Sequence, residues 1–361
     1  MVIARVLVGA ALPLAFVGPG FGSVDFGSTA PPSPVPHITY VNSVGMPDTE
    51  RYAGEVIGGL SGIDYDPARD RYVVISDNRG EQGPVRLYTL ALPIEGGAAS
   101  GPVFDGMTVL RDADGNPYAP GASDTESVRW NPGTGGYLYA SEGAARAGVG
   151  GFIREASADG AFLRDLPLPE AYRPVLGADG VIVSGIRDNL GFESMTVSPN
   201  GAVVSAMTEN ALAQDGPAAN SQGPTPARLL RLDRAGGAAV GEWQYPADAV
   251  PTGAIPEATG VSEILAVDDR SYLVLERTMI PGSGFTGKLY LAGIDGGGDG
   301  RMSKQLVFDF ADVMQDSDCV EGITWGPALP DGSRSLVVAT DNNFGRAGKT
   351  TFHLLAVDAA P

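Results

Sequence analysis

The chain has 361 residues, 24 basic against 43 acidic, and a net charge of −19. A surface that negative repels phosphate backbones and anionic lipid, so neither nucleic acid nor a membrane surface is expected as a partner. One cysteine, Cys319, excludes an internal disulfide or a cysteine-built metal site, and two histidines, His37 and His353, leave little for zinc centres or a Ser-His-Asp triad.

The N-terminus reads as an export signal. Arg5 precedes an apolar run from Val6 to Val17, broken only by Gly9 and Pro13, and Gly20 and Gly22 are small residues ahead of cleavage at Ser23. The run is shorter than the roughly 20 residues of a spanning helix. A buried N-terminal strand or an uncleaved anchor is the alternative. The division is a signal peptide over 1–22, a Pro-rich linker over 23–36 and a folded body over 37–361. A secreted or periplasmic monomer without stable membrane insertion is expected.

The body is repetitive. Segments beginning at Leu60 (LSGIDYDPARDRYVVISDN), Thr125 (TESVRWNPGTGGYLYASEG), Phe192 (FESMTVSPNGAVVSAMTEN), Val261 (VSEILAVDDRSYLVLERT) and Val320 (VEGITWGPALPDGSRSLVVATDN) align. Each passes from a short strand through a Pro/Asp/Gly turn to an apolar strand ending in a carboxylate. In an antiparallel hairpin, partners share an index sum whose midpoint lies in the turn. Glu126 with Glu142 centres on Thr134, Glu193 with Glu209 on Gly201, and Ser61 with Asp77 on Arg69. Glu263 with Glu276 centres between Asp269 and Arg270, and Glu321 with Asp341 on Asp331. All five midpoints are turn sequences.

Two further strand patterns follow each hairpin, such as RLLRLDRAG and VGEWQYPA, without helical periodicity. The expected fold is all-β: a single propeller of four-stranded antiparallel blades. Five blades are expected, with six as the alternative if Pro167 to Gly191 hides another. The last unit ends after TTFHLLAVD, and HITYVNSV from His37 is a spare strand that would close the ring by pairing with it.

GGLSGIDYDP with ISDNRG, DTES with YASEG, NLGFES with MTEN, SEI with LER, and EGITW with ATDNNF resemble the secreted phytase-like family, described as having esterase-like activity. The resemblance runs from Gly58 to about Asp358. Ser127 and Ser194 depart from it, standing where glycine after the Glu is common. The resemblance implies a metal-dependent hydrolase of phosphoesters or other esters.

Blade geometry brings the starts of inner strands and the ends of the next strands to one channel mouth. Asp77, Asp124, Glu142, Glu263, Glu276, Glu321, Asp341 and Asn343 are the candidate metal ligands there. Like charges so close raise one another's pKa, and a cation relieves this. Oxygen donors without His or Cys select Ca²⁺ or Mg²⁺, with Ca²⁺ favoured by a flexible multi-carboxylate set. No organic cofactor is expected. Glu126, Glu193 and Glu209 are the catalytic candidates, because Glu-to-Glu hairpin pairs repeat most regularly there. Arg79, Arg277 and Arg346 follow the strand-end carboxylates and are candidates for gripping an anionic small-molecule substrate, or for neutralising their neighbours. Only Lys288, Lys304 and Lys349 are present, a poor basic cradle for a highly phosphorylated substrate. Two alternatives stay open: a non-catalytic ligand-binding propeller with a structural metal, and a lactonase-type propeller. Asp112–Asn116 opens like a calcium loop, but Pro117 stands where glycine is needed, so a plain turn is expected.

Overall fold

The computed structural model describes residues 35–294, 300–313 and 319–358. The expected signal peptide and most of the linker lie outside the described residues. Five four-stranded antiparallel sheets form a propeller, with strands in chain order from the centre outward in the first four and with the N-terminal strand outermost in the fifth. The inner strands are Leu60–Asp66, Thr125–Asn131, Phe192–Val197, Thr259–Ala266 and Cys319–Ala328, and neighbours touch around the ring. The insert over 167–191 holds one 3₁₀ turn and a two-stranded ribbon, not a sixth blade.

The ring closes as the spare strand predicts. His37–Gly45 pairs antiparallel with Thr351–Asp358, from His37↔Asp358 to Gly45↔Thr351, as the outer strand of blade 5. Without it, Thr351–Asp358 would present an unpaired edge.

The core is divided into five layers, one between each pair of adjacent blades. Val73, Ile75 and Leu87 of blade 1 meet Val128, Tyr137 and Tyr139 of blade 2. Leu60, Val74 and Tyr88 on the other side of blade 1 meet Val337 and Leu354 of blade 5. The remaining layers join blades 2 and 3, 3 and 4, and 4 and 5. Both faces of each sheet are therefore buried, which explains continuous apolar runs such as YVVI and SLVV.

The inner hairpins pair one residue out of the expected register, for a shared reason. In blade 2 the pairing passes from Thr125↔Ser141 to Ser127↔Ala140, leaving Glu126 unopposed. The same bulge leaves out Glu193 in blade 3, Ser262 in blade 4 and Glu321 in blade 5, and Ser61 with Gly62 in blade 1. A bulge bends its strand and re-aims the extra side chain. Glu142 consequently bonds through its N–H to Asp124 O at 3.0 Å, and Glu209 to Gly191 O at 2.8 Å, rather than facing Glu126 and Glu193 directly.

Candidate functional site

The bulges put three glutamates on one channel mouth. Glu126, Glu193 and Glu321 line a cavity of about 380 Å³ together with Asp77, Glu142 and Asp341 from the ends of the second strands. Asp77, Asp124 and Glu126 each offer an oxygen within 4.8 Å of the others, and so do Glu126, Glu142 and Glu193. Glu126 belongs to both sets. This is a nearly continuous carboxylate surface spanning blades 1 to 3.

Two arginines answer part of that charge. Arg277 is partly buried, its side chain 13% exposed, and ion-paired with Glu193 at 3.1 Å, with Glu209 at 3.3 Å and more closely with Glu321. Arg79 reaches in from the rim, where it pairs with Asp124, approaches Glu142 Oε1 at 3.8 Å, and donates to Asn189. Arg346 is exposed on the rim and has no ion pair among the described residues. Of the three expected substrate-gripping arginines, two are thus engaged with protein carboxylates.

The electrostatics follow from burial. Desolvation pushes Asp77 well above the usual carboxylate range, and the charges of Asp124 and Asp341 add to it. Glu126 is raised by burial and then by Asp77 and Glu193, and Glu142 by burial and then by Glu193 and Asp124. Glu193 is raised by burial and Glu209, against the pull of Arg277. Burial lifts Glu209 to about 7 despite Arg277, and lifts Asp341 to about 7 with help from Glu321. Asp124 Oδ1, Glu209 Oε2, Glu321 Oε2 and Ser61 Oγ are buried without a hydrogen-bond partner among the described residues. Buried oxygens without donors among crowded carboxylates are the donor set a hard cation satisfies.

The other expected residues divide by position. Asn343 lines the cavity and donates its N–H to Asp341 Oδ1 at 2.8 Å. Glu209 does not line it and lies beneath Arg277. Asp124 also sits behind the wall, its side chain 1% exposed, yet within ligand distance of Asp77 and Glu126.

Two residues expected at the mouth are placed elsewhere. Glu276 turns outward into the seam between blades 3 and 4, accepting from Tyr245 Oη at 2.6 Å and Asp248 N at 2.9 Å on the blade 3 side and from Lys304 Nζ at 2.5 Å on its own. Glu263 is one residue past the bulge, where alternation aims it into the channel axis, and it pairs there with Arg129 at 3.1 Å. Ser262 holds the position that Glu126, Glu193 and Glu321 hold in other blades.

Residues not expected at the site also line it. Phe285 and Phe344 form apolar wall, and the Cys319 thiol donates to Glu321 Oε1 at 3.0 Å. The cysteine's place at the start of the inner strand signalled proximity. Phe285 carried no such signal, because it enters from the third strand of blade 4.

Among solved structures, the chain is similar to a bifunctional GH43-CE protein of Bacteroides eggerthii, at 11% identity and TM-score 0.45, covering 84% of this chain and 33% of that one. It is similar to a thermostable family-43 glycoside hydrolase at 10% identity and TM-score 0.44, covering 84% and 89%. The N-terminal domain of Nup159 is similar at 8% identity and TM-score 0.35, covering 92% and 98%. No curated protein sequence matches. Residues 55–344 match the phytase-like family described as "Esterase-like activity of phytase", and the chain belongs to that family.

Proposed function

We propose that the protein is a Ca²⁺-dependent hydrolase of esters, phosphoesters foremost, working at the carboxylate-lined cavity. The observation that carries this reading is Glu126, shared by two three-carboxylate sets that only Arg79 and Arg277 partly neutralise. Asp77, Asp124, Glu126 and Glu142 would hold the cation. When bound, it would polarise the ester's phosphoryl oxygen and acidify a water.

The protein's own residues divide the rest of the work. Glu193 takes a proton from the attacking water as the water oxygen bonds to phosphorus. The phosphorus–alkoxy bond breaks, and the departing alcohol takes its proton from solvent. Arg346 and the outer part of Arg79 receive the anionic head of the substrate. Arg277 fixes Glu193, Glu209 and Glu321 in place, so Glu209 acts as a positioning residue rather than as the base.

The working protein would be a secreted or periplasmic monomer taking a small-molecule substrate, without an organic cofactor. The test is hydrolysis of a phosphomonoester, phosphodiester and carboxylester panel with Ca²⁺ and with chelator. Chelator-sensitive turnover that Glu126→Gln abolishes is expected. Binding of Ca²⁺ without turnover of any ester would favour a non-catalytic binding propeller.

A further inference from the structure

We propose that the cavity takes a substrate with a single phosphoryl group on an apolar alcohol of aryl size. This rests on the hydrolase reading above and specifies its substrate class. The cavity wall carries eight carboxylates: Asp77, Glu126, Glu142, Glu193, Glu321 and Asp341 in its depth, with Glu81 and Glu257 exposed at the rim. Against them stand Arg79, Arg277 and Arg346, and no lysine. Arg277 is committed to three glutamates and Arg79 to Asp124. Positive charge therefore suffices for one phosphoryl group beside a cation. A second phosphoryl on the same substrate would face Glu81 and Glu257.

Apolar surface is provided instead. Phe344 sits in the turn Asn343–Gly345 at φ +53, a left-handed conformation that a bulky aromatic rarely adopts. Two contacts hold it there. Asn342 Oδ1 accepts from Phe344 N at 3.0 Å and from Gly59 N at 3.3 Å, tying the turn of blade 5 to blade 1. The ring lies over Gly58 and Gly59, where a Cβ on Gly59 would come within 2.5 Å of it. Backbone strain held by surrounding contacts is characteristic of sites where a side chain must stand in one place. Phe285 supplies a second aromatic wall from blade 4. At about 380 Å³ the cavity is at the small end of ligand pockets, which run from roughly 300 to 1,000 Å³.

The test is calorimetric titration, with Ca²⁺ present, of three phosphonates that cannot be cleaved as esters: phenylphosphonate, methylphosphonate and 1,4-phenylenebisphosphonate. Phenylphosphonate is expected to bind at least tenfold tighter than methylphosphonate, and the bisphosphonate no tighter than phenylphosphonate. Phe285→Ala, and Phe344→Gly, which tolerates the positive φ, should each collapse the phenyl-to-methyl ratio. Equal affinity for the phenyl and methyl ligands, a tighter bisphosphonate, no binding of any of them, or an unchanged ratio in both variants would overturn the inference. Phenyl-selective binding without hydrolysis of any ester removes the hydrolase reading and leaves the ligand class standing. Hydrolysis without phenyl selectivity does the reverse.

Discussion

Arg129 and Glu263, on the inner strands of blades 2 and 4, meet across the channel axis at 3.1 Å, with their side chains 3% and 1% exposed. Around this pair all five blades are joined. Arg129 donates to Ile63 O of blade 1 at 2.5 Å, to Ile264 O of blade 4 at 2.9 Å and to Ile323 O of blade 5 at 3.4 Å. Glu263 accepts from Met195 N of blade 3 at 3.0 Å and from Ser127 Oγ of blade 2 at 3.0 Å. The pair plugs the channel beneath the cavity.

Removing one partner would strand a buried charge. Arg129→Met and Glu263→Met are each expected to cost about 3–5 kcal/mol in urea unfolding. The double variant should cost clearly less than the two singles added together, because neither charge is then left alone. Strict additivity would mean that the two groups act independently and that the hub is only apparent.

This pair also shows where sequence reading stopped. The propeller, its five hairpins and its closure were legible because turns and alternating strands are local signals that repeat. The bulge was not, since index sums assume continuous pairing, and it slipped the register in every blade. In blade 4 the slip misassigned a residue: matching glutamates selected Glu263, whereas matching triplets (TES, FES, VEG, LSG, VSE) would have selected Ser262. One residue's difference along a strand separates the cavity from the channel axis. Glu276 escaped for another reason, because the Lys304 that draws it outward comes from the far outer strand of its blade.

The closing strand contributes packing as well as hydrogen bonds. Ile38 is 8% exposed and joins the layer between blades 4 and 5. Ile38→Ala should cost about 2–3 kcal/mol, at the low end for a buried aliphatic truncation, since the site is near the edge of the layer. A change below about 0.5 kcal/mol in denaturant unfolding would show that the outer strand adds little to stability.

Glu193 and Glu209 separate by kinetics. Glu193→Gln keeps the shape and removes the proposed base, so kcat should fall about 10²- to 10⁴-fold with little change in KM. Glu209→Gln loosens Arg277 without touching substrate and should lower kcat more modestly. The pH–rate profile distinguishes the two: the acidic limb should vanish in Glu193→Gln and persist in Glu209→Gln. The opposite pattern would reassign the base to Glu209.

Cation binding should oppose the loss of stability that rising pH brings. Glu209 and Asp341 rise to about 7 from ordinary values of 4.5 and 3.8, chiefly through burial. Between those limits the native protein without cation holds protons that the unfolded chain has released. Its stability is therefore full at about pH 4, falls as pH rises toward 7, and levels off above. Burial raises Asp77, Glu126 and Glu142 in the same direction, and a cation held by them takes the place of their protons, so its stabilisation should grow as pH rises toward neutrality. At a hundredfold excess over Kd it adds about 2.7 kcal/mol. Differential scanning calorimetry from pH 4 to pH 8, with Ca²⁺ and with chelator, should give two curves that converge in acid and diverge toward neutrality. Replacing Glu193 and Glu209 together by Gln removes two of the crowded carboxylates, so it should flatten the chelator curve and narrow the gap. Curves that coincide across the whole range would remove the cation from the site, and with it the polarising step that the proposed hydrolysis needs.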